Sequence, residues 1–146
     1  MTITVEVPLA DRSYPVHVGF GVRELLPEIL PEGAKRVAVI TQAEVPWEVD
    51  PGIDHTVINV PNGESAKSLS VVESVCRQMA AEGFTRSDAI VGVGGGVVTD
   101  LAGFVASVYH RGIRFVTVST TLLGQVDVVP TGKAVIQVPL ALAVSK

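Results

Sequence analysis

The sequence predicts an α/β domain with a doubly wound, mostly parallel sheet and an N-terminal β-hairpin. Near-continuous apolar runs at Arg36–Thr41, Ala89–Val93 and Arg114–Val118 alternate with helical patterns, which is typical of strands buried on both faces. Three glycines, Gly94–Gly96, stand directly between one of these strands and a helical pattern. This order indicates a Rossmann-like sheet whose ligand-binding edge carries the glycines.

The first half of the chain supplies the hairpin and the outer strands. Thr2–Val7 and Tyr14–Val18 alternate apolar and polar residues, which predicts two antiparallel strands. Val22–Leu30 has helical spacing, and Pro27 should shorten or kink that helix. His55–Val60 is the next predicted strand after Arg36–Thr41.

The second half supplies the helices that cover the sheet. Ser70–Glu82 is predicted to be a helix, with Ser70 and Glu73 spaced as a capping box. A helix is predicted after the glycines, and its buried face should carry Val97, Leu101, Phe104, Val105 and Val108. A left-handed cap at Gly112 should end this helix. The last predicted elements are a short helix from Thr120 to Val126 and a strand at Val138–Val144.

Composition excludes several classes of protein. The 146 residues suit a single domain, residues 1–146, with its own core. A net charge of −4 gives no electrostatic footprint for nucleic acid. No apolar run reaches the ~20 residues of a membrane helix, and the N-terminus lacks the pattern of a secretory signal. The single cysteine, Cys76, fits a reducing compartment, so we expect a cytoplasmic protein.

Metal binding is not predicted for this chain. The three histidines, His17, His55 and His110, lack the spacing of metal ligands. Cys76 lies at helical spacing from Leu69 and Val72, which indicates a core position rather than a nucleophile. We therefore expect no metal site within these residues.

The glycine run has two interpretations. The first N–H groups of a helix lack intrahelical partners and carry the positive end of its dipole, so Gly94–Gly96 could bind phosphate. Alternatively, the glycines only permit a tight turn and close packing. Asp100 could face a sugar hydroxyl or merely favour the helix dipole, and Arg111 could bind an anion or complement the end of its helix.

Four segments should meet at one edge of the sheet. The turn after Arg36–Thr41, the glycine run and Thr120–Thr121 all follow strands, and the Gly63–Lys67 loop can reach them from the side. Ligands of open α/β sheets bind outside the carboxyl ends of the strands. This convergence favours a dinucleotide site over packing alone.

Three motifs resemble those of the 3-dehydroquinate synthases. They are the run from Val91 to Gly112, the stretch from Thr120 to Asp127, and Gly63–Leu69, which looks like the family's Gly-Glu-x-x-Lys-[Ser/Thr]-Leu motif. The resemblance extends from about Tyr14 to Lys133. Related sugar-phosphate cyclases, which make inosose or valiolone rings, share much of this pattern. Iron-type alcohol and glycerol dehydrogenases share only the glycine run followed by Asp.

The resemblance implies NAD as cofactor and assigns a role to each matching residue. The resemblance implies that Gly94, Gly95 and Gly96 bind the diphosphate, that Asp100 lies at the nicotinamide side, and that Glu64 and Lys67 bind the adenosine ribose. It further implies other cofactor contacts for Thr120 and Thr121 and an adenosine contact for Thr41 and Gln42. Without the resemblance, Glu64 and Lys67 form an ordinary solvated pair, and the two threonines cap the next helix.

The resemblance also implies substrate contacts and a larger enzyme. Asp127 and Lys133 match substrate-binding residues, and Arg111 matches an arginine that reaches the substrate of a neighbouring subunit. This chain departs from the family at Ser119, where proline is usual, and at Pro130 and Ala134 in the following loop. The helical C-terminal domain, which in the family supplies the ligands for Zn or Co, is expected to be absent.

Two functional hypotheses follow. In the first, the chain is the NAD-binding domain of a 3-dehydroquinate synthase, a lyase of the shikimate pathway of aromatic amino acid biosynthesis. The family enzyme cyclises a seven-carbon sugar-acid phosphate with loss of phosphate, and the isolated domain is expected to be inactive. A homodimer and a complementing C-terminal domain are its expected partners. In the second, the chain is a non-catalytic, engineered or repurposed interaction module with a vestigial nucleotide site.

Overall fold

The computed structural model describes residues 2–8, 10–127 and 134–137. Its seven strands form one sheet in the order β1-β2-β7-β6-β5-β3-β4. Only β1 and β2 pair antiparallel, and every other neighbouring pair is parallel. The strands are β1 (Thr2–Val7), β2 (Tyr14–Gly19), β3 (Arg36–Gln42), β4 (Asp54–Val60), β5 (Ala89–Gly94), β6 (Arg114–Ser119) and β7 (Ala134–Gln137).

Four α-helices accompany the sheet within the described ranges. They are α1 (Leu26–Ile29), α2 (Leu69–Ala81), α3 (Gly96–Val108) and α4 (Leu122–Asp127). The 3-10 turns are Ala10–Arg12, Val22–Leu25, Glu64–Ala66 and Tyr109–Arg111. Pro27 lies in the first turn of α1, which directly follows the 3-10 turn Val22–Leu25, so the predicted helix is divided there. The single turn of α1 ends at Leu30, whose ψ of 144° is extended because Pro31 follows it.

The sheet is covered on both faces, which confirms the doubly wound α/β class. Along β6, Phe115 belongs to the core under α2 and α3, whereas Val116 belongs to the core under α1, as the period of two in a strand requires. Strand β5 is buried along its whole length. The apolar character of the central strands therefore reflects burial from two sides.

The chain reverses its direction across the sheet between β3 and β5. After β3 it moves outward to β4, and it then returns through α2 to β5 on the other side of β3. Gln42 ends β3 and Gly94 ends β5, so the carboxyl ends of both strands open onto this reversal point. Such a point is the expected ligand crevice of an open α/β sheet.

Helix α2 begins one residue earlier than the sequence predicts. Its N-cap is Ser68, whose side chain accepts a hydrogen bond from the Val71 N–H, so the predicted capping box of Ser70 and Glu73 is wrong. The 3-10 turn Glu64–Ala66 leads into the cap through a hydrogen bond from the Ser68 N–H to the Ala66 carbonyl. The preceding loop therefore fixes the start of the helix.

The buried face of α3 contains Leu101 and Val105, as predicted, but it is rotated away from Phe104 and Val108. Phe104 and Val108 are 48% and 46% exposed, whereas the small residue Ala102 is fully buried. A Cβ at Gly92 would lie only 2.8 Å from the Ala102 Cβ, so small residues here let the helix approach β5 closely. Close approach therefore requires small residues where α3 meets β5, and Phe104 and Val108 point outward.

Two further predictions concern the ends of elements. The left-handed turn after α3 is formed by His110 and Arg111, with φ of 49° and 64°, rather than by Gly112, whose φ of 118° and ψ of 122° are not those of a left-handed helix. The predicted last strand Val138–Val144 lies outside the described residues. The strand that the structure describes in this region is β7, residues Ala134–Gln137.

Candidate functional site

The N-terminus of α3 is open to a ligand. Its N-cap is Gly95, which has no side-chain capping hydrogen bond, and the first intrahelical bond runs from the Thr99 N–H to the Gly95 carbonyl at 3.0 Å. The N–H groups before Thr99 therefore have no intrahelical acceptor. Together with the helix dipole, they can bind an anion.

The three consecutive glycines meet different constraints. Gly94 has a φ of 154°, and a Cβ there would lie 2.8 Å from the Val98 Cγ2 atom. At Gly95 a Cβ would lie 3.0 Å from the Thr121 Cγ2 atom. At Gly96 it would meet nothing within 4 Å, so the space above Gly96 is free for a ligand.

Hydrogen bonds hold the four predicted segments together. The Thr41 hydroxyl donates to the Val93 carbonyl at 2.8 Å, and the Thr120 N–H donates to the Gly94 carbonyl at 2.9 Å. The buried Gln42 amide donates to the Pro61 carbonyl at 2.7 Å. The same amide reaches the Gly63 carbonyl at 3.4 Å, which ties the Gly63–Lys67 loop to the end of β3.

A charged cluster joins that loop to α3. The Lys67 Nζ lies 2.9 Å from the Asp100 Oδ2 and 3.7 Å from the Glu64 Oε2. The hydrogen bond to Asp100, supported by the charges of both carboxylates, raises the pKa of Lys67 above its ordinary value of 10.5. Lys67 is therefore a cation at neutral pH, and it spans the distance between the loop and the helix.

Two clefts meet at the start of α3. The β3 cleft, of about 440 Å³, lies beside the end of β3, and the α4 cleft, of about 180 Å³, lies beside α4. Gly96 and Val97 line both. The β3 cleft is further lined by Gln42, Glu44, Trp47, Gly63, Thr120 and Thr121, and the α4 cleft by Glu64, Lys67, Asp100, Leu123 and Gly124.

A family model described as 3-dehydroquinate synthase N-terminal matches residues 57–143, more than half of the chain. The chain belongs to the 3-dehydroquinate synthase family. The matched residues include the glycine run, the Lys67–Asp100 pair and Thr120–Thr121. The resemblance that the motifs indicate is thereby confirmed.

Curated relatives agree with this assignment. The putative aminodehydroquinate synthase of Amycolatopsis mediterranei (strain S699) is 42% identical over 140 residues, which are 95% of this chain and 40% of the relative. The 3-dehydroquinate synthase of Thermobifida fusca (strain YX) is 43% identical over 142 residues, 91% of this chain and 39% of the relative. The chain thus spans about two fifths of the length of these synthases.

A solved structure shares the fold. The chain matches 2-deoxy-scyllo-inosose synthase, crystallised with carbaglucose-6-phosphate, NAD+ and Co2+, with a TM-score of 0.80 and 24% identity. The match covers 92% of this chain and 44% of that one. The architecture described above is therefore shared with this synthase.

The two threonines of the family motif have structural roles. The Thr121 hydroxyl accepts a hydrogen bond from the Gly124 N–H at 3.1 Å, so it caps α4, as the alternative interpretation expects. Thr121 also packs against Gly95, and both threonines line the β3 cleft. Thr121 can cap α4 through its hydroxyl oxygen while both threonines border a cofactor in the β3 cleft.

Of the substrate-side candidates of the synthase resemblance, Arg111 is the one whose side chain is described, and it lies away from this edge. Arg111 is exposed and follows the end of α3, at the amino-terminal edge of the sheet. Asp127 ends α4, which starts beside the clefts, but its side chain is not described. Lys133 lies outside the described residues. Among the described residues, this edge brings together the cofactor candidates.

Sequence reasoning missed two residues of the site. Trp47 lines the β3 cleft and stacks under the guanidinium of Arg23, whose Cζ lies 4.9 Å from the ring centroid. Its position just after β3, at the ligand edge, was the available signal. Ser119 ends β6 and is fully buried beside the glycine turn. Ser119 stands where proline is usual in the family, but the sequence alone indicates no role for this serine.

The metal implied by the synthase resemblance finds no ligand set here. In the described ranges, no three His, Cys, Asp or Glu side chains are grouped to hold an ion. His17 contacts the Thr4 hydroxyl and His55 contacts the Ile53 carbonyl, so the two are engaged elsewhere. These residues do not fit a metal, and we derive no step through one.

No described helix is both long enough and apolar enough to cross a bilayer.

Proposed function

We propose that this chain is the NAD-binding domain of a 3-dehydroquinate synthase family enzyme. The observation that carries the proposal is the uncapped N-terminus of α3, which opens over Gly96 at the point where two clefts meet. A dinucleotide has a diphosphate between two nucleoside ends, and this site has an anion-binding helix end between two clefts. The cyclase that shares the fold was solved with NAD+.

The β3 cleft suits the adenosine end of the cofactor. Trp47 offers an aromatic face, and the Gln42 amide holds the Gly63–Lys67 loop in place at the border of the cleft. A phosphate oxygen would accept hydrogen bonds from the N–H groups at the start of α3. Thr120 and Thr121 would border the diphosphate from the opposite side.

The charged cluster would rearrange when NAD binds. The Lys67–Asp100 contact, at 2.9 Å, is the shorter of the two that Lys67 makes. We expect it to persist, with Asp100 at the nicotinamide side. Glu64, which is 77% exposed, would leave Lys67 and accept hydrogen bonds from ribose hydroxyls. Bound NAD supplies a hydride acceptor, and these residues bind and orient it.

Two carboxylates near the β3 cleft, those of Glu44 and Glu64, should select NAD over NADP. Glu44 lines the β3 cleft, and Glu64 belongs to the loop that borders it. A ribose 2′-phosphate would bring negative charge towards both, with Lys67 already engaged by Asp100. Isothermal calorimetry with NAD and NADP tests this proposal. We expect measurable binding of NAD and weaker binding of NADP, whereas tighter binding of NADP would contradict the placement of the ribose.

We further propose that this part of the enzyme does not complete the synthase reaction by itself. The curated relatives are about two and a half times as long as the chain. An apolar groove of about 330 Å³ lies beside the Lys67–Asp100 pair and is lined by Leu69, Val72 and Phe104. Leu69 is 76% exposed there, and we propose that a helical C-terminal domain covers it.

Complementation tests this second proposal. The chain would be mixed with the C-terminal part of the Thermobifida fusca relative, and phosphate release from the seven-carbon substrate would be followed. We expect release only in the mixture, and less of it with Leu69→Glu. Phosphate release by the chain alone, above background, would contradict the proposal.

A further inference from the structure

The chain contains two asparagines, Asn59 and Asn62, and both are exposed. Asn59 lies inside β4, where it is in register with Thr41 of β3, and the β-branched Val60 follows it. Asn62 lies in a bend after β4, and Gly63 follows it. The two asparagines therefore share their side chain and their exposure but differ in the backbone around them.

An asparagine that precedes a glycine can lose its amide without an enzyme. The backbone nitrogen of the glycine attacks the side-chain carbonyl carbon, a new N–C bond closes a five-membered succinimide, and ammonia leaves. Water then opens the succinimide at either carbonyl, which gives aspartate or isoaspartate. A side chain on the following residue hinders the attack, and glycine has none. The reaction consumes only water.

Both reacting groups are accessible at Asn62. Within the described ranges, neither the Asn62 side chain nor the Gly63 N–H makes a hydrogen bond. Gly63 has a φ of 74°, and a Cβ there would meet nothing within 4 Å, so no neighbouring group crowds the attack. Asn62 lies outside every helix and strand, so no regular hydrogen bonding fixes its backbone.

Ser65 favours the attack through the peptide unit that joins Asn62 to Gly63. Its hydroxyl donates a hydrogen bond to the Asn62 backbone carbonyl at 3.3 Å. When the Gly63 nitrogen loses its proton, negative charge develops on that carbonyl oxygen. A hydrogen bond to a charged oxygen is stronger than one to a neutral oxygen, so Ser65 stabilises the attacking form.

We propose that Asn62 is a site of spontaneous deamidation and that its isoaspartyl product weakens cofactor binding. Gly63 lines the β3 cleft, and its carbonyl accepts from the Gln42 amide at 3.4 Å and from the Ala66 N–H at 3.3 Å. Isoaspartate lengthens the main chain by one carbon just before Gly63, which displaces this carbonyl, and it adds a negative charge near Glu64. The modification site stands on the chain itself, whereas its effect on the cofactor rests on the proposed function.

Peptide mapping by mass spectrometry tests the modification site in the folded protein. During incubation, the peptide with Asn62 should gain the mass of exchanging NH for O, and faster at alkaline pH, because base removes the Gly63 proton. The rate should exceed that at Asn59 by about tenfold or more, because Val60 carries the side chain that Gly63 lacks. Asn62→Gln should stay intact, since its longer side chain would have to close a six-membered ring. An intact Asn62, or equal loss at both asparagines, would overturn the proposal.

Ser65 variants test how the local structure controls the rate. Ser65→Ala should slow deamidation by about threefold, the effect of one weak hydrogen bond, and Ser65→Thr should restore the rate. Faster deamidation in Ser65→Ala would show that the hydroxyl restrains the bend, and the role given to Ser65 would be wrong.

Calorimetry with NAD tests the consequence and separates it from the proposed function. The isoaspartyl form, isolated by its extra negative charge, should bind NAD about tenfold more weakly, because the Gln42–Gly63 contact is lost. Asn62→Asp adds the charge without lengthening the chain and should lose less affinity, and incubated Asn62→Gln should lose none. If Asn62 deamidates but NAD binds neither form, the modification site stands and the proposed function fails. If NAD binds both forms equally, the proposed function stands and the effect on the cofactor is wrong.

Discussion

Gly94 and Gly96 lie two residues apart, but different physical constraints act on them. Gly94 has a positive φ, and any Cβ would overlap Val98, so this glycine is needed for the fold. Gly96 has an ordinary backbone and open space above it, so its lack of a side chain matters only to a ligand. The two original interpretations of the glycine run, packing and phosphate binding, therefore apply to different glycines.

Alanine at these two positions should separate folding from binding. Gly96→Ala should leave the free energy of unfolding unchanged, because alanine is tolerated in the first turn of a helix, but it should weaken NAD binding at least tenfold. Gly94→Ala should destabilise the fold by about 1–3 kcal/mol, from the strain of its backbone and the contact with Val98. Urea denaturation and calorimetry measure the two effects. Unfolding by Gly96→Ala would contradict the assignment.

The raised pKa of Lys67 predicts how the stability of the protein depends on alkaline pH. Its raised pKa means that the pair with Asp100 contributes stability below the ordinary pKa of 10.5, and that this contribution is lost only as the pH rises through the higher folded value. Both side chains are substantially exposed, so the contribution is at most about 1 kcal/mol. The Lys67 Cε signal in a ¹³C titration should move at a higher pH than in Asp100→Asn. Identical midpoints would show that the pair does not form in solution.

At the scale of elements, the start of α2 can be tested directly. Ser68→Ala removes the hydroxyl that accepts from the Val71 N–H and should cost about 1 kcal/mol of stability. Ser70→Ala is the matched control and should cost less, because the Ser70 hydroxyl only contacts the Ser68 hydroxyl, at 3.0 Å, and is not itself the cap. Denaturation midpoints of the two variants decide the matter. A larger loss for Ser70→Ala would restore the capping box that the sequence predicts.

The sequence predicts the order and type of the elements well, because each depends on local periodicity. The central strands are apolar along their whole length, and the helices between them have helical spacing. The sequence could not predict the rotation of α3 about its own axis. That rotation depends on the meeting of Gly92 with Ala102, a contact between two elements. The Ser68 cap likewise depends on the conformation of the preceding loop.

The site was predictable to a similar depth. Motif order placed the four segments at one edge, and the hydrogen bonds from Thr41, Thr120 and Gln42 show them assembled there. The separate constraints on the three glycines were not predictable. They arise from distances between atoms of different segments, such as the 3.0 Å between a Cβ at Gly95 and the Thr121 Cγ2.

At the scale of the whole molecule, Arg111 lies far from the proposed cofactor. Helix α3 has 13 residues, so its two ends are about 20 Å apart. We propose that Arg111 acts across a homodimer contact formed by the end of α3, where Val108 is 46% exposed. Arg111→Ala should therefore leave NAD binding unchanged, and Val108→Glu should shift the chain to monomer in light scattering. A monomeric wild-type chain at every concentration would contradict the dimer.

The central claim is that the N-terminus of α3 binds the diphosphate of NAD. An ¹⁵N NMR titration with NAD tests it most directly, because each backbone amide reports its own environment. We predict that the amide signals of Gly96, Val97 and Val98 move most, together with those of the Gly63–Lys67 loop, and that Gly96→Ala suppresses these movements. Unchanged signals at Gly96–Val98 at saturating NAD, or movements confined to the edge that carries Arg111, would contradict the claim.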